Sequence, residues 1–491
     1  MTNKENKKLF YKYRSMNALL DGFKELEDEY LYFSPTKDLN DPLEGYMDID
    51  FKGDKIIWTN FFKNYIFSLF LFRNNVYSIE NSSILSEDDI HTDFNAELKD
   101  ILSIKGQAYQ IACDEIISNK YIRCIINYFS NREIPVQKNE LYSYLLNIHF
   151  YILDIFTKVD IENGGKIQDK DALYKRLDEH LIKQNKLIEL QENIKNNGNK
   201  GIDALNLLLP FLNVNLESII YARNLNSLNN SIADQNYNLL ISYPKIYLNK
   251  LEEIMYPRPY ITCFSDTYKD LSMWGYYSDS SKGVCLIFKP IEKNNAYYLP
   301  IETVTSWGGN GTNFYEKKEF VDLEIKPVIY SQKRPTTPFF RSLGRLNFPT
   351  LKKHWYTKDN TISKTVEDIF DETGEKKWRK EYWDHIIKNT NTKQIGWSHE
   401  HEYRISLIPI FDDEYDTIDK RKLKYRFDNL EGLIFGINAT ENDKLKIIKI
   451  LHYKCKKHNK KSFNLYQAVY DNQKGEIGII PINILKHIEN I

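Results

Sequence analysis

The first part of the chain alternates apolar and polar residues and then changes to helical spacing. Lys8–Ser15 (KLFYKYRS) predicts a strand, and Asn17–Asp28 places its leucines and Phe23 at helical spacing. Tyr30–Ser34 (YLYFS) predicts a second short strand. A loop rich in Pro, Asn and Asp follows up to Gly45. The pattern therefore indicates a strand–helix–strand unit at the start of the chain.

The pattern of apolar and polar residues along the chain then changes twice. Long stretches with helical periodicity, such as Glu140–Thr157, dominate residues 55–255, and strand-like runs return after them. These changes predict the N-terminal part of a core at residues 1–54, a helical insertion or subdomain at 55–255, and the C-terminal part of the core at 256–491. The expected fold class is α+β, with a mixed or antiparallel sheet interrupted by the large helical insertion.

Short apolar runs in the last part of the chain predict strands. Two longer segments predict helices: the polar stretch Thr350–Ile387, and a helix that begins with a capping box at Thr440 and Asp443 and ends near His458. The strand-like runs are Tyr260–Ser265, Gly283–Phe288, Ile325–Tyr330, Tyr403–Ile410 and Leu430–Phe435.

Composition excludes some classes of function. The formal net charge of -1 provides no global attraction to nucleic acid or to anionic membranes. The five cysteines are scattered without zinc-finger or thioredoxin spacing, as in a reduced cytosolic protein. The N-terminal segment lacks the apolar core of a signal peptide, and the longest apolar stretch, Ile56–Phe72, is interrupted by polar residues. We therefore expect a cytoplasmic protein with no membrane contact.

The segment WSHEHEYR, Trp397–Arg404, carries the clearest chemical signal. Glu400 and Glu402 lie two residues apart before an apolar run, so an extended chain places both carboxylates on one face and His399 and His401 on the other. Like charges this close are unfavourable unless a ligand or a cation uses them. No third ligand at suitable spacing accompanies the histidines, so no metal is expected.

Four groups of motifs follow one another along the chain. They are Tyr11–Ser15 (YKYRS); Tyr32–Pro35 (YFSP) with Asn40–Glu44 (NDPLE); Cys263–Ser265 (CFS) with Trp274–Tyr277 (WGYY) and Lys282–Val284 (KGV); and Trp397 with Glu400, Glu402, Tyr403 and Arg404. Taken together and in this order, they resemble the bacterial domain-of-unknown-function 2971 family over residues 8–50 and 260–440. The order of an arginine on a first strand, a serine or tyrosine on a middle strand and a late Glu-x-Glu is similar to ADP-ribosyltransferases of the Arg-Ser-Glu type.

The second resemblance implies an ADP-ribosyltransferase-like sheet core and NAD as the substrate. Arg14 would be the first-motif arginine, Ser265 the second-motif serine with Tyr277 as its rival, and Glu400 with Glu402 the Glu-x-Glu pair. A guanidinium suits a diphosphate, and a fixed carboxylate such as Glu402 suits the positive charge that develops at ribose when nicotinamide leaves.

Further residues complete the expected site. Glu400 would orient or deprotonate the acceptor. The aromatic rings expected to stack on nicotinamide or adenine are those of Tyr13, Trp274 and Tyr277. The cofactor-binding set is completed by Ser34, Asn40, Asp41 and Ser265.

Structural interpretations of the same residues stay open. Arg14 would then form only an ion pair with Glu402 or Asp41, Asn40–Pro42 would be a turn, and Trp274 would belong to the core.

Three functions stay open as well. The first is an NAD-consuming toxin or anti-phage defence effector that modifies a macromolecular target, with a target or a regulatory partner protein bound at the helical insertion. The second is a metal-dependent nuclease, in which carboxylates converge on Mg²⁺. The third is a non-catalytic nucleotide sensor or interaction module. The carboxylates of the nuclease hypothesis are Asp41, Glu44, Asp266, Glu400 and Glu402.

Overall fold

A computed structural model describes residues 8–78, 89–92, 104–165, 170–196, 238–309, 314–411 and 414–485, together with 198, 200–201, 214 and 218. The chain forms two compact units. The first, called the β unit below, comprises Met1–Tyr46, Pro257–Pro335 and Ile387–Ile491. The second, called the helical unit, comprises Met47–Tyr256 and Thr336–Ile386.

In the part of the chain that the structure describes, the β unit contains an eleven-stranded mixed sheet. The strands are β1 (Phe10–Arg14), β2 (Ser34–Pro35), β3 (Tyr260–Ser265), β4 (Val284–Phe288), β5 (Ile291–Lys293), β6 (Ala296–Gly309), β7 (Phe314–Pro327), β8 (Glu402–Leu407), β9 (Leu430–Phe435), β10 (Asn464–Asp471) and β11 (Glu476–Ile482). The order of the strands in the sheet is β11-β10-β9-β4-β1-β3-β8-β7-β6-β5, and β2 pairs with β3 outside this path. The pairings are antiparallel except for β9 with β10.

The two faces of this sheet are packed differently because alternate residues of each strand point to opposite sides. On one face Phe10, Phe264 and Ile405 belong to a large apolar core. On the other face Tyr13 and Trp274 belong to a smaller aromatic core. The helices of the β unit are Met16–Leu19, Glu25–Asp28, Leu271–Tyr277 and Glu441–Lys457, and its shorter strands are Tyr30–Tyr32, Ile329–Ser331, Thr392–Gln394 and Lys422–Lys424.

One edge of β3 is shared by two strands that separate from each other. β1 pairs with β3 only at Tyr11, opposite Ser265, whereas β2 pairs with it at Ser34, opposite Ile261. The middle of this edge of β3 is therefore free of a strand partner among the described residues. A gap opens in the sheet between β1 and β2, and the candidate site lies there.

The helical unit is built around long helices. Trp58, Phe61 and Phe340 pack edge to face in its core. In the ranges that the structure describes, no helix combines the length and the apolar character required to cross a membrane. The helices are Lys55–Ser78, Ile104–Ser118, Lys120–Asn131, Lys138–Glu162, Lys170–Asn196, Tyr243–Lys250, Phe348–Thr350 and Glu372–Thr390, of which the last continues into the β unit; the strands are Asp48–Phe51, Val136–Gln137, Thr336–Pro338, Thr357–Lys358 and Thr361–Ile362.

The expected α+β class with a mixed sheet is confirmed, but two predicted helices are wrong in part. The segment Asn17–Asp28 forms two short helices, Met16–Leu19 and Glu25–Asp28, and Lys24 between them has a positive φ of 56°. The stretch Thr350–Ile387 contains a hairpin before its long helix, which begins only at Glu372. Asp359 and Asn360 turn the hairpin with positive φ values of 49° and 63°, a conformation that Asp and Asn tolerate and that a two-residue hairpin favours. The predicted division at residues 54 and 255 stays a prediction; the helical unit also contains Thr336–Ile386.

Candidate active site

A cavity of about 630 Å³ lies in the β unit at the gap between β1 and β2, within the range usual for small-molecule sites. It is lined by β1, the middle of β3, the start of β8 and the loop after β2. Eight of the residues expected from the sequence line this cavity, namely Tyr13, Arg14, Ser34, Asn40, Ser265, Tyr277, Glu400 and Glu402.

The local geometry of the Glu-x-Glu segment differs from the extended chain expected. Glu400 ends a 3₁₀ segment, Ile395–Glu400, and β8 begins only at Glu402. Between them His401 adopts a left-handed conformation with φ 47°, so strand alternation does not apply to the pair. Both carboxylates nevertheless converge, because each accepts a hydrogen bond from the same lysine.

That lysine is Lys393, which lies on the short strand Thr392–Gln394 and is buried. Its Nζ donates to Glu400 Oε2 at 2.5 Å and to Glu402 Oε2 at 3.2 Å. The ring of Trp397 covers the ammonium, with 4.7 Å between Nζ and the ring centroid. Lys393 thus offsets the repulsion between two carboxylates that burial would otherwise make prohibitive.

Arg404, two residues into β8, is fully buried and fully hydrogen-bonded. Its Nη1 and Nη2 donate to the two carboxylate oxygens of Glu44 at 2.7 and 2.8 Å. Its Nε and Nη2 donate to Glu402 at 2.7 and 3.0 Å, and Nη1 also donates to the carbonyl oxygen of Thr390. Since a guanidinium has five N–H donors, none is left for a ligand, and Arg404 positions Glu402.

The pKa values of the two carboxylates are shifted in opposite directions. Burial acts to raise the pKa of Glu402, but the Arg404 guanidinium and the Lys393 ammonium outweigh it and lower that pKa to about 2. Burial raises the pKa of Glu400, although hydrogen bonds from Lys393 and Tyr277 act against this rise. Glu402 is therefore the fixed anion and Glu400 the better proton acceptor.

The low pKa of Glu402 predicts a specific dependence of stability on pH. Its folded-state value of about 2 lies below the roughly 4.3 of an unfolded glutamate, so ionised Glu402 stabilises the fold above about pH 4 and this contribution is lost as pH falls towards 2. We expect the difference in free energy of unfolding between the wild type and Glu402→Gln to shrink between pH 5 and pH 2. Urea unfolding at a series of pH values measures it.

The control for this measurement is Glu476→Gln, which removes one partner of an exposed ion pair with Lys269. Its effect should stay within about 1 kcal/mol at every pH. A Glu402→Gln difference that is constant from pH 5 to pH 2 would contradict the depressed pKa.

Arg14 lines the cavity, but its ion-pair partner is different from the two expected. Its Nε donates to Glu25 Oε2 at 2.6 Å and its Nη2 donates to the other oxygen of the same carboxylate. The expected pairs with Glu402 or Asp41 are therefore wrong. Tyr11 pairs with Ser265 of β3, and Ser265 pairs with Glu402 of β8, so these three side chains share one face of the sheet. Arg14 lies three residues after Tyr11 on the same strand and therefore faces the opposite side. The cavity reaches both faces at the gap.

Tyr277 and Ser265 hold the Glu-x-Glu segment from the other side. The Tyr277 hydroxyl donates to Glu400 Oε1 at 2.5 Å and also lies within hydrogen-bonding reach of the Asn40 side chain. The Ser265 hydroxyl donates to the carbonyl oxygen of Glu400 at 2.8 Å. Tyr277 thus contacts the carboxylate, whereas the Ser265 hydroxyl is used for the backbone.

Three residues of the expected cofactor-binding set have structural roles. Trp274 is absent from the cavity wall; its Nε1 donates to the carbonyl oxygen of Tyr268, and its ring packs perpendicular to that of Tyr13 at 5.2 Å. The ring of Tyr13 is therefore also committed to this core. Asp41 is absent from the wall as well, and its Oδ1 accepts from the backbone N–H of Leu43, which makes an Asx turn.

Several cavity residues were not predicted as site residues. Lys12, Cys263, Tyr276 and Lys393 all line the wall. Tyr276 is 71% exposed, so its ring is available for stacking. The WGYY motif contained the signal for Tyr276, but no spacing rule connects Lys393 to the Glu-x-Glu pair.

Carboxylates of the nuclease hypothesis form ion pairs with basic side chains. Among the described residues, no group of three or more His, Cys, Asp or Glu side chains is arranged to hold a metal ion. Glu44 is paired with Arg404 and Glu400 with Lys393, while Asp266 pairs with Lys8 at 3.0 Å. No observation at the site therefore favours magnesium-dependent cleavage.

Comparison of the chain with protein-family models, with curated proteins and with solved structures finds no match.

Proposed function

We propose that this protein cleaves the nicotinamide–ribose bond of NAD and transfers ADP-ribose to a macromolecular acceptor, on an ADP-ribosyltransferase-like core. One observation carries the proposal. Glu400, Glu402 and Tyr277 share a single cavity with the basic residues of β1, although the chain separates Arg14 from Glu402 by more than 380 residues.

The charge distribution along the cavity supports a ligand with both signs of charge. On the β8 side, three carboxylates (Glu44, Glu400 and Glu402) face two cations (Lys393 and Arg404), so this wall carries one excess negative charge when all are ionised. On the β1 side, Lys12 and Arg14 face one carboxylate, that of Glu25, so this side has one excess positive charge when all three are ionised. Oxidised NAD has the matching arrangement, with a cationic nicotinamide ring and an anionic diphosphate.

The residues of the cavity would have separate roles during cleavage. Glu402, held ionised and rigid by Arg404 and Lys393, would stabilise the positive charge that develops at ribose as nicotinamide leaves, and would hold a ribose hydroxyl. Glu400, whose pKa is raised by burial, would accept the proton of the attacking hydroxyl or amine. The exposed ring of Tyr276 would stack on the nicotinamide or adenine base.

The test is turnover of labelled NAD by the purified full-length protein. Label in the nicotinamide reports cleavage, and label in the adenylate, in the presence of bacterial lysate, reports transfer. We expect release of nicotinamide, and retention of adenylate label on protein or nucleic acid. Absence of both with a folded protein contradicts the proposal: binding without turnover indicates a sensor, and magnesium-dependent degradation of nucleic acid indicates a nuclease.

A further inference from the structure

Lys12 is a buried cation whose partners are all neutral. It lies on β1, lines the cavity and is only 7% exposed. Its Nζ donates to the hydroxyl of Thr262 at 2.8 Å and to the carbonyl oxygen of Cys263 at 3.0 Å, and lies 5.2 Å from the ring centroid of Phe264. Among the described residues, no carboxylate forms an ion pair with it. Because a protonated amine has three N–H donors, one remains for a ligand.

The position of Lys12 explains why it lacks a carboxylate. Its side chain reaches across the gap where β1 separates from β3, and it satisfies the Cys263 carbonyl oxygen that no strand partner covers. Arg14, two residues later, shares the same face of β1 and borders the same cavity. The charge of Arg14 is balanced by Glu25, whereas a protonated Lys12 has no carboxylate partner and is unfavourable in the empty protein; an anion bound at Lys12 relieves that cost.

We propose that Lys12 is the centre of a phosphate subsite, which receives the diphosphate of the ligand and takes up a proton as the diphosphate binds. This inference rests on the proposed function for the identity of the ligand, but its chemistry requires only a diphosphate. The subsite differs from the Glu-x-Glu wall, which carries the opposite charge.

The proton uptake follows from the surroundings of the amine. Burial, together with the neighbouring Arg14 guanidinium, lowers the pKa of Lys12 to about 7. The charged or titratable groups around it are Arg14 on its own strand, Cys263 on β3, Glu402 on β8, and Glu25, which acts through its pair with Arg14. A bound diphosphate favours the ammonium and raises this pKa, so binding at pH 8, where the free amine is mostly neutral, is accompanied by proton uptake. Affinity for diphosphate should therefore fall as pH rises above 7.

Isothermal titration with inorganic pyrophosphate and with ADP-ribose tests the subsite directly, without requiring turnover. Lys12→Met keeps the length and the apolar stem of the side chain but removes the charge. At pH 7 we expect the variant to bind both probes about 10- to 100-fold more weakly than the wild type, because one charge-assisted hydrogen bond to phosphate is lost. At pH 8, titrations in two buffers of different ionisation enthalpy should show proton uptake by the wild type that disappears in the variant.

Lys454→Met is the matched control. Lys454 is also a buried lysine of the β unit, but it pairs with Glu29 at 2.7 Å and lies outside the cavity wall. It should leave pyrophosphate affinity and proton uptake unchanged. Thermal unfolding of Lys12→Met should show only a modest change in stability, since the removal of a buried amine without an ion-pair partner offsets the loss of its hydrogen bonds to Thr262 and Cys263.

The outcomes separate this inference from the proposed function. Absence of pyrophosphate binding to the wild type, or equal binding to the wild type and Lys12→Met, overturns the phosphate subsite even when NAD is cleaved. Lys12-dependent pyrophosphate binding with proton uptake supports the subsite, and if NAD is then neither bound nor cleaved, only the proposed function fails.

Discussion

Under the proposed function, the Glu402→Gln variant is expected to release nicotinamide from NAD about 10²- to 10³-fold more slowly than the wild type. Glutamine keeps the shape and one acceptor oxygen of the side chain, so contact with Arg404 persists. What disappears is the fixed negative charge that the positively charged ribose of the transition state requires, and such preorganised electrostatic groups contribute effects of this size. Steady-state nicotinamide release measures the loss, and titration calorimetry measures NAD binding separately.

A selective loss of turnover is what distinguishes catalysis from structural damage. Binding of NAD to Glu402→Gln should change far less than turnover, because the charge acts mainly on the transition state. The matched control is Glu29→Gln, which makes the same change in a buried carboxylate that pairs with Lys454 and His458 and lies outside the cavity wall. It should retain nearly full turnover. Wild-type turnover by Glu402→Gln would exclude this carboxylate from the chemistry.

The largest expected change in stability belongs to Arg404→Met, which should lower the free energy of unfolding of the β unit by about 3–5 kcal/mol. The variant leaves two buried carboxylates, those of Glu44 and Glu402, without their common cation. It also leaves the carbonyl oxygen of Thr390 without that donor. Unfolding in guanidinium chloride, followed by circular dichroism, measures the loss.

Two further variants show whether the loss comes from unpaired charge. Lys269→Met removes the cation of an exposed pair with Glu476 in the same unit, and should cost at most about 1 kcal/mol. Adding Glu44→Gln to Arg404→Met removes one of the stranded charges and should recover part of the stability. An Arg404→Met effect no larger than that of Lys269→Met contradicts the role assigned to this guanidinium.

The elements that the sequence predicts well are those with an uninterrupted pattern. Tyr260–Ser265 and Leu430–Phe435 are strands with the predicted bounds, and the helix after Thr440 begins with the expected cap. In each case the local pattern and the tertiary packing favour the same structure. The helix predicted over Thr350–Ile387 is wrong in part because the polar composition of this stretch does not reveal where the helix begins. The turn that precedes the helix depends on the backbone conformations of Asp359 and Asn360.

The site was harder to predict because its contacts join distant parts of the chain. The Glu-x-Glu pair, Tyr277 and Ser265 could be selected from motifs, but their cation Lys393 lies on a strand that was not predicted. The sequence predicts Glu402 or Asp41 as the ion-pair partner of Arg14, whereas the fold pairs this residue with Glu25. Pairing of charges follows three-dimensional distance, for which residue spacing is a poor guide outside regular elements.

The order of strands in the sheet also has a consequence for the synthesis of the protein. β1 is translated well before its sheet neighbours β3 and β4 and before the residues that complete the cavity. Glu44 has no guanidinium partner until Arg404 is made. The nascent chain therefore remains without an assembled site until Arg404 has been synthesised, and a product terminated before residue 400 lacks both carboxylates. Any activity of the site would in this way be absent from the shorter translation intermediates.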